Sequence, residues 1–269
     1  MTKIIHISDL HFGTTKDMTI KLLQQKIKEM QPDLVVISGD FTQVSSKDEF
    51  RIAQQFLQDI GVPFFAVPGN HDVPPYNLYK RFFEPYKRYK HYISEILNPT
   101  LETEDFALAG INSARKFLLH WNWANGAINA KQREKVKEFY QNTSRHKWRI
   151  CIFHHPIHKV DEMPIDVAVF GKDETLRLMH EMKVDLVLTG HVHHASINMR
   201  GDNHHQTVYL SASTALSSRT RGQQNGFNEI ILNDEDIQIK CHALCSDTFE
   251  ELSSYTHKRQ KAQTAKDCA

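Results

Sequence analysis

Apolar positions in the first half of the chain follow two alternating rhythms. Short β-branched runs at Lys3 to Ser8, Leu34 to Ser38 and Phe64 to Val67 read as strands. Between them Ile20, Leu23, Ile27 and Met30, then Phe50, Ala53, Phe56, Leu57 and Ile60, recur at helical intervals, predicting amphipathic helices over Thr19 to Met30 and Lys47 to Ile60. Strands resume at Phe106 to Ile111, Arg149 to Phe153, Asp185 to Leu188, Val208 to Leu210, Asn228 to Leu232 and Ile237 to His242, with helices at Ala130 to Asn142 and Lys172 to Met182. This order predicts an α/β fold in which two mixed β-sheets pack as a sandwich flanked by helices, one domain over residues 1–252. Pro74-Pro75 breaks the rhythm, so 74–98 is expected to be a helical insertion. Residues 253–269 hold four Lys and Arg without apolar periodicity and are expected to form a frayed polar tail.

Charge narrows the function classes. The chain has 33 Lys and Arg against 32 Asp and Glu, a net charge of +1, and so lacks the broad positive field of a dedicated nucleic-acid binder. Cys151, Cys241, Cys245 and Cys268 have neither zinc-ribbon spacing nor the density of a disulfide scaffold and read as reduced thiols. The apolar run Ile4 to Ile7 is too short for a signal peptide, and no run approaches the roughly 20 apolar residues of a membrane span. A cytoplasmic address is expected, with peripheral membrane contact still compatible.

Five clusters carry the candidate chemistry, each just after a predicted strand: Asp9-Leu10-His11, Gly39-Asp40, Gly69-Asn70-His71-Asp72, His154-His155 and Gly190-His191-Val192-His193. In Asp9/His11 and His191/His193 the side chains sit two apart, so in extended backbone both leave the same face. The glycines suit sharp turns that bring backbone close to an ion. Carboxylate, amide and imidazole donors without thiolate favour Mn, Fe or Zn over Ca. Two such ions roughly 3.5–4 Å apart clamp a phosphate and share a hydroxide whose pKa falls to near 7.

This ordered series, from about Ile4 to His193, resembles the calcineurin-like metallophosphoesterase superfamily. The resemblance implies that Asp9, His11 and His193 bind one metal, that Asn70, His154 and His191 bind the other, and that Asp40 bridges them. His71 would lie over the phosphate without binding metal, oriented by Asp72. The chain departs from many members after Gly39-Asp40, where Phe41-Thr42-Gln43 replaces a further acidic residue. Phe153-His154-His155-Pro156 and Gly190-His191-Val192-His193-His194 look most similar to the class III cyclic-nucleotide phosphodiesterases. The implied function is hydrolysis of a small-molecule phosphodiester, a cyclic nucleotide first, by hydroxide attack at a dinuclear centre. Two rivals are a pyrophosphohydrolase acting on a nucleotide-linked lipid of the UDP-diacylglucosamine type, and a non-catalytic scaffold of the same fold.

The remaining features have structural and functional readings. His155 and His194 are expected to pack or hydrogen-bond behind the ligands, and His204-His205 to lie exposed in a hairpin turn. The aromatic and basic segment Tyr76 to Ile93 reads either as a helix with solvated bases or as a cap over the site. Arg219, Arg221 and Arg115 are placed either in surface ion pairs or against a phosphate.

Overall fold

The computed structural model describes residues 1–116, 124–158 and 167–259. Its first half alternates as the periodicity predicts. Strands β1 (Thr2–Ile7), β2 (Leu34–Ile37) and β3 (Phe64–Ala66) are joined by helices α1 (Asp17–Met30) and α2 (Lys47–Ile60). Helix α2 starts where Ser46 and Glu49 cap each other's backbone N–H groups. A single 3-10 turn, Asn70–Asp72, then leads to α3 (Leu78–Phe83) and α4 (Lys87–Tyr92). The second half runs β4 (Thr100–Glu102), β5 (Phe106–Gly110), β6 (Gly126–Ala127), α5 (Ala130–Asn142), β7 (Trp148–Ile152), β8 (Val169–Phe170), α6 (Lys172–Glu181) and β9 (Leu186–Thr189). Antiparallel strands follow: β10 (Ser196–Gly201), β11 (Gln206–Ser211), β12 (Gly226–Leu232), β13 (Asp236–Cys245) and β14 (Thr248–Lys258).

Two six-stranded mixed sheets result, in the orders β14-β13-β12-β1-β2-β3 and β10-β11-β9-β7-β5-β4. Strand periodicity sorts the core into layers. In β1, Ile5 and Ile7 face helices α1 and α2 with Leu23, Ile27 and Phe50. Ile4 points the other way and packs between the sheets with Val36, Ile150, Leu188, Leu210 and Ile230. Tyr140, Phe153 and Met179 fill a third core under α5 and α6. The architecture is therefore four layers, helix, sheet, sheet, helix. The parallel strands β2, β7 and β9 are buried at every residue, so their sequences are mostly apolar on both faces, with Arg149 in β7 and Thr189 in β9 as the polar positions.

His6 shares the inter-sheet face with Ile4. Burial pushes its pKa down to about 3, so the ring is neutral. Its Nε2 lies 2.9 Å from Ser38 Oγ, and Asn228 Nδ2 reaches its Nδ1 at 3.3 Å. This polar cross-link lies near the strand ends that carry the site.

One boundary and one exposure need correction. The tail expected from Ser253 begins later, because β14 pairs with β13 as far as Asp236 opposite Lys258. As an edge strand it buries few side chains, Phe249 and His257 among them, so its sequence lacks the apolar alternation that marks a strand. The positions beyond Arg259, including Cys268, lie outside the described residues. His205 is buried and its Nε2 meets Val184 O at 2.9 Å, whereas its neighbour His204 is exposed as the turn predicts.

The layering predicts where stability resides. Ile230→Ala, between the sheets, should lower unfolding free energy in urea by about 2–5 kcal/mol. Ile52→Ala, on the outer face of α2 and 48% exposed, should change it by under about 0.5 kcal/mol.

Candidate metal centre

Loops leaving β1, β2, β3, β7 and β9 carry all nine predicted site residues to one end of the sandwich. They do not arrive as extended backbone. Asp9, His11, Asp40, His191 and His193 adopt left-handed conformations with φ of 53°, 46°, 55°, 71° and 56°. The expectation that Asp9/His11 and His191/His193 project from one strand face is therefore corrected: each pair converges through left-handed turns. Such conformations cost about 1–3 kcal/mol each and persist where surrounding bonds over-determine them. Here Asp9 N donates to Gly39 O, His11 N to Asp40 O, and His191 N to the Asp9 carboxylate, at 3.1, 3.0 and 2.9 Å. Two glycines are required by proximity. A Cβ at Gly69 would stand 2.1 Å from Asp40 Oδ1, and one at Gly190 would stand 1.8 Å from Ser8 Oγ.

Hydrogen bonds behind the rings decide what faces inward. His11 Nδ1 lies 3.2 Å from Thr42 O, and His193 Nδ1 lies 2.8 Å from Arg219 O. A carbonyl accepts only from an N–H, so each Nδ1 carries hydrogen and each Nε2 presents a lone pair. Those two Nε2 atoms are 3.0 Å apart, and Asp9 Oδ1, a buried oxygen with no hydrogen-bond partner, lies 3.1 Å from His193 Nε2. Beside this triad, His154 Nδ1 donates to Ser38 O at 2.7 Å, aiming its Nε2 at Asn70 Oδ1 (3.1 Å) and His191 Nδ1 (3.2 Å). Asp40 Oδ2 lies between the groups, 3.6 Å from His11 Nε2 and 3.2 Å from His154 Nε2. Carboxylate oxygens and ring nitrogens crowded in a buried pocket call for positive charge, from a proton on His154 or from an entering cation, so the donor set fits divalent metal.

The field agrees with that fit. Burial opposes charge on Asp9 and Asp40, yet neighbouring histidines hold both carboxyls well below the usual range: His193 and His11 act on Asp9, and His154 and His71 on Asp40. Burial depresses His154, but Asp40 outweighs it and raises the ring to about 9. Burial, then the His154 charge, lowers His191 to about 3.

One predicted role changes. Asp72 does not hold the His71 ring, whose Nδ1 donates instead to Gln43 O at 2.7 Å. The Asp72 carboxylate accepts from Thr42 N (3.0 Å) and Gly69 N (2.9 Å), tying the two loops together. Burial and the nearby Asp40 charge push its pKa up to about 7, against those backbone donors. Asp72 thus acts on His71 through the Thr42-Gln43 backbone. This is the segment where the sequence departs from the pattern of the superfamily it resembles.

His155 Nδ1 lies 2.8 Å from Ser113 Oγ and its ring centroid 4.6 Å from that of His191, and its buried Nε2, without a hydrogen-bond partner among the described residues, brings it into one group with His154 and His191 that could hold an ion. A cavity of about 400 Å³ opens over the cluster, with His71, Asn125, Arg219 and Arg221 in its lining. Asn125 was missed, because an isolated amide between strands gives no sequence signal. None of the described residues from Tyr76 to Ile93 lines this cavity, so the cap reading is not realised there.

Comparison with known proteins agrees with this geometry. Residues 2–195 match the family model described as calcineurin-like phosphoesterase. The chain is 29% identical over 174 residues to a probable glycerophosphodiester phosphodiesterase of Arcobacter nitrofigilis, covering 63% of this chain and 59% of that protein. It is 26% identical over 178 residues to a probable cyclic nucleotide phosphodiesterase of Synechococcus sp., covering 65% and 63%. The match thus spans less than two thirds of either relative. A dimetal phosphatase structure from Danio rerio superposes with a TM-score of 0.69 at 11% identity, covering 95% of this chain and 98% of that one, which shows the shared fold.

The raised His154 pKa sets a pH dependence. After chelation, His154 should hold a proton below about 9, which an incoming ion must displace. Apparent Mn(II) affinity should therefore climb as pH rises towards 9 and level off above it, where His154 loses its proton unaided. Calorimetry in buffers of different ionisation enthalpy should detect the released proton. An affinity that is flat across this range would contradict the assignment.

Proposed function

Because the chain belongs to the calcineurin-like phosphoesterase family, we propose that it is a dinuclear metal-dependent phosphodiesterase acting on a small-molecule phosphodiester. The observation that carries this reading is the convergence of two donor groups on the single Asp40 carboxylate. Asp9, His11 and His193 would hold one ion and Asn70, His154 and His191 the other, with Asp40 shared between the two groups. Mn, Fe and Zn suit these oxygen and nitrogen donors. Such a pair of ions withdraws charge from the phosphoryl oxygens and lowers the pKa of a coordinated water.

The chain's own residues supply the rest. His71 Nδ1 donates to Gln43 O, which turns Nε2 to the cavity, where the ring in its doubly protonated form would give the Nε2 proton to the departing oxygen. Arg219 and Arg221 line the same cavity and offer guanidinium donors to the non-bridging phosphate oxygens. A cavity of about 400 Å³ suits a small molecule better than a polymer. The relatives' names share a phosphodiester, which favours that bond, with cyclic nucleotides the first substrate to try. The nucleotide-linked lipid reading needs the Tyr76 to Ile93 segment over the cavity, and none of its described residues lines it. The complete donor set disfavours the scaffold reading.

Protein loaded with Mn(II) should cleave bis(p-nitrophenyl) phosphate and cyclic AMP. An Asp40→Asn variant as active as the parent would overturn the proposal. His71→Ala should lower kcat by about 10²–10⁴-fold while metal content stays unchanged. Arg219→Ala and Arg221→Ala should each raise KM by about tenfold or more and largely spare kcat, the size expected for a charge-assisted hydrogen bond. Steady-state kinetics with metal analysis separates these effects.

A further inference from the structure

Helix α3 has its polarity inverted. Arg81 is 2% exposed, and its guanidinium donates to Lys116 O at 2.9 Å and Pro74 O at 3.2 Å. The apolar side chains face out instead: Tyr76 is 85%, Tyr79 68% and Phe83 74% exposed. Tyr79 and Phe83, four residues apart, share one face of the helix with ring centroids 5.0 Å apart, and Tyr76 stands exposed in the bend just before it. A surface helix ordinarily does the reverse. The buried Arg81 clamps this helix so that its aromatics stay in water, a cost that contact with a partner would relieve.

Charge identifies the partner. Between Tyr76 and Tyr92 the chain carries Lys80, Arg81, Lys87, Arg88 and Lys90 against Glu84 alone, although its net charge is only +1. Glu84 is already paired with Lys87 at 2.6 Å. Next to the aromatic stripe lies a groove of about 350 Å³ lined by Lys47, Lys80, Lys87, Arg88 and His91. A second copy of the chain would set this cationic face against itself, since a two-fold contact joins identical patches. Outward aromatics rimmed by Lys and Arg suit a bilayer surface, where rings sit at the headgroup boundary and cations meet lipid phosphates.

We propose that the α3–α4 face docks the protein on an anionic lipid surface through Tyr76, Tyr79 and Phe83, with Lys80, Lys87, Arg88 and Lys90 meeting the headgroups. No helix among the described residues is long and apolar enough to cross a membrane, so this contact is peripheral. It does not depend on the metal centre or its substrate.

Flotation of the full chain with vesicles of phosphatidylcholine, with and without phosphatidylglycerol, tests the proposal. Binding should require the anionic lipid and weaken as salt rises. Lys87→Glu/Lys90→Glu should lower it by at least about tenfold, from two lost surface attractions. Tyr79→Ser/Phe83→Ser should also release the protein, with an unchanged unfolding midpoint because both rings are exposed. Equal binding to neutral vesicles, no binding to either, or variants that bind like the parent would overturn the proposal. So would a concentration-dependent dimer that Tyr79→Ser/Phe83→Ser abolishes, which would make the patch a self-association surface.

Discussion

Four imidazoles at this site each lie with Nδ1 against a backbone carbonyl: His11 with Thr42, His71 with Gln43, His154 with Ser38 and His193 with Arg219. A backbone carbonyl can only accept, so each contact fixes Nδ1 as the donor and turns Nε2 inward. The Nε2 atoms of His11, His154 and His193 then converge with Asp9, Asp40 and Asn70, a set of oxygen and nitrogen atoms that suits a cation. Everything around the site serves that orientation. The carbonyls belong to loops that the strands place, and Asp72 ties the Thr42-Gln43 loop to the Gly69 turn.

The same constraint accounts for the strain. Five site residues hold left-handed backbone, and two glycines sit where any side chain would strike a carboxylate or serine. Two fully packed sheets supply the rigidity that keeps these loops in place. The buried His6, Ser38 and Asn228 contacts join β12, β1 and the β2 end, and Ser38 O in turn sets the His154 tautomer. Packing between the sheets thus reaches the metal donors through one residue.

Much of this was legible in the sequence. The helices Lys47–Ile60 and Ala130–Asn142 begin and end where periodicity places them, because each opens on a capping residue that acts locally. That the aspartate, asparagine and histidine clusters would meet at one place was legible because each follows an apolar run that reads as a strand. Their geometry was not. Side-chain convergence through left-handed turns depends on hydrogen bonds between loops far apart in sequence, such as Thr214 Oγ1 to Asp9 O at 2.6 Å. Asp72 was misread for the same reason: its partners Thr42 and Gly69 are set by tertiary contact, not by its place beside His71. Strand β14 was hidden because an edge strand needs little apolar pattern. For Arg219 and Arg221 the sequence left a surface ion pair and a phosphate contact open, and their place in the cavity lining follows from the fold.

The central claim is that two donor groups share Asp40. Anomalous diffraction at the Mn edge from crystals grown with Mn(II) tests it most directly. The account predicts two peaks per chain, roughly 3.5–4 Å apart, flanking the Asp40 carboxylate, one beside His11 and His193 and the other beside His154 and His191. A single peak, or two peaks of which neither touches Asp40, would contradict it.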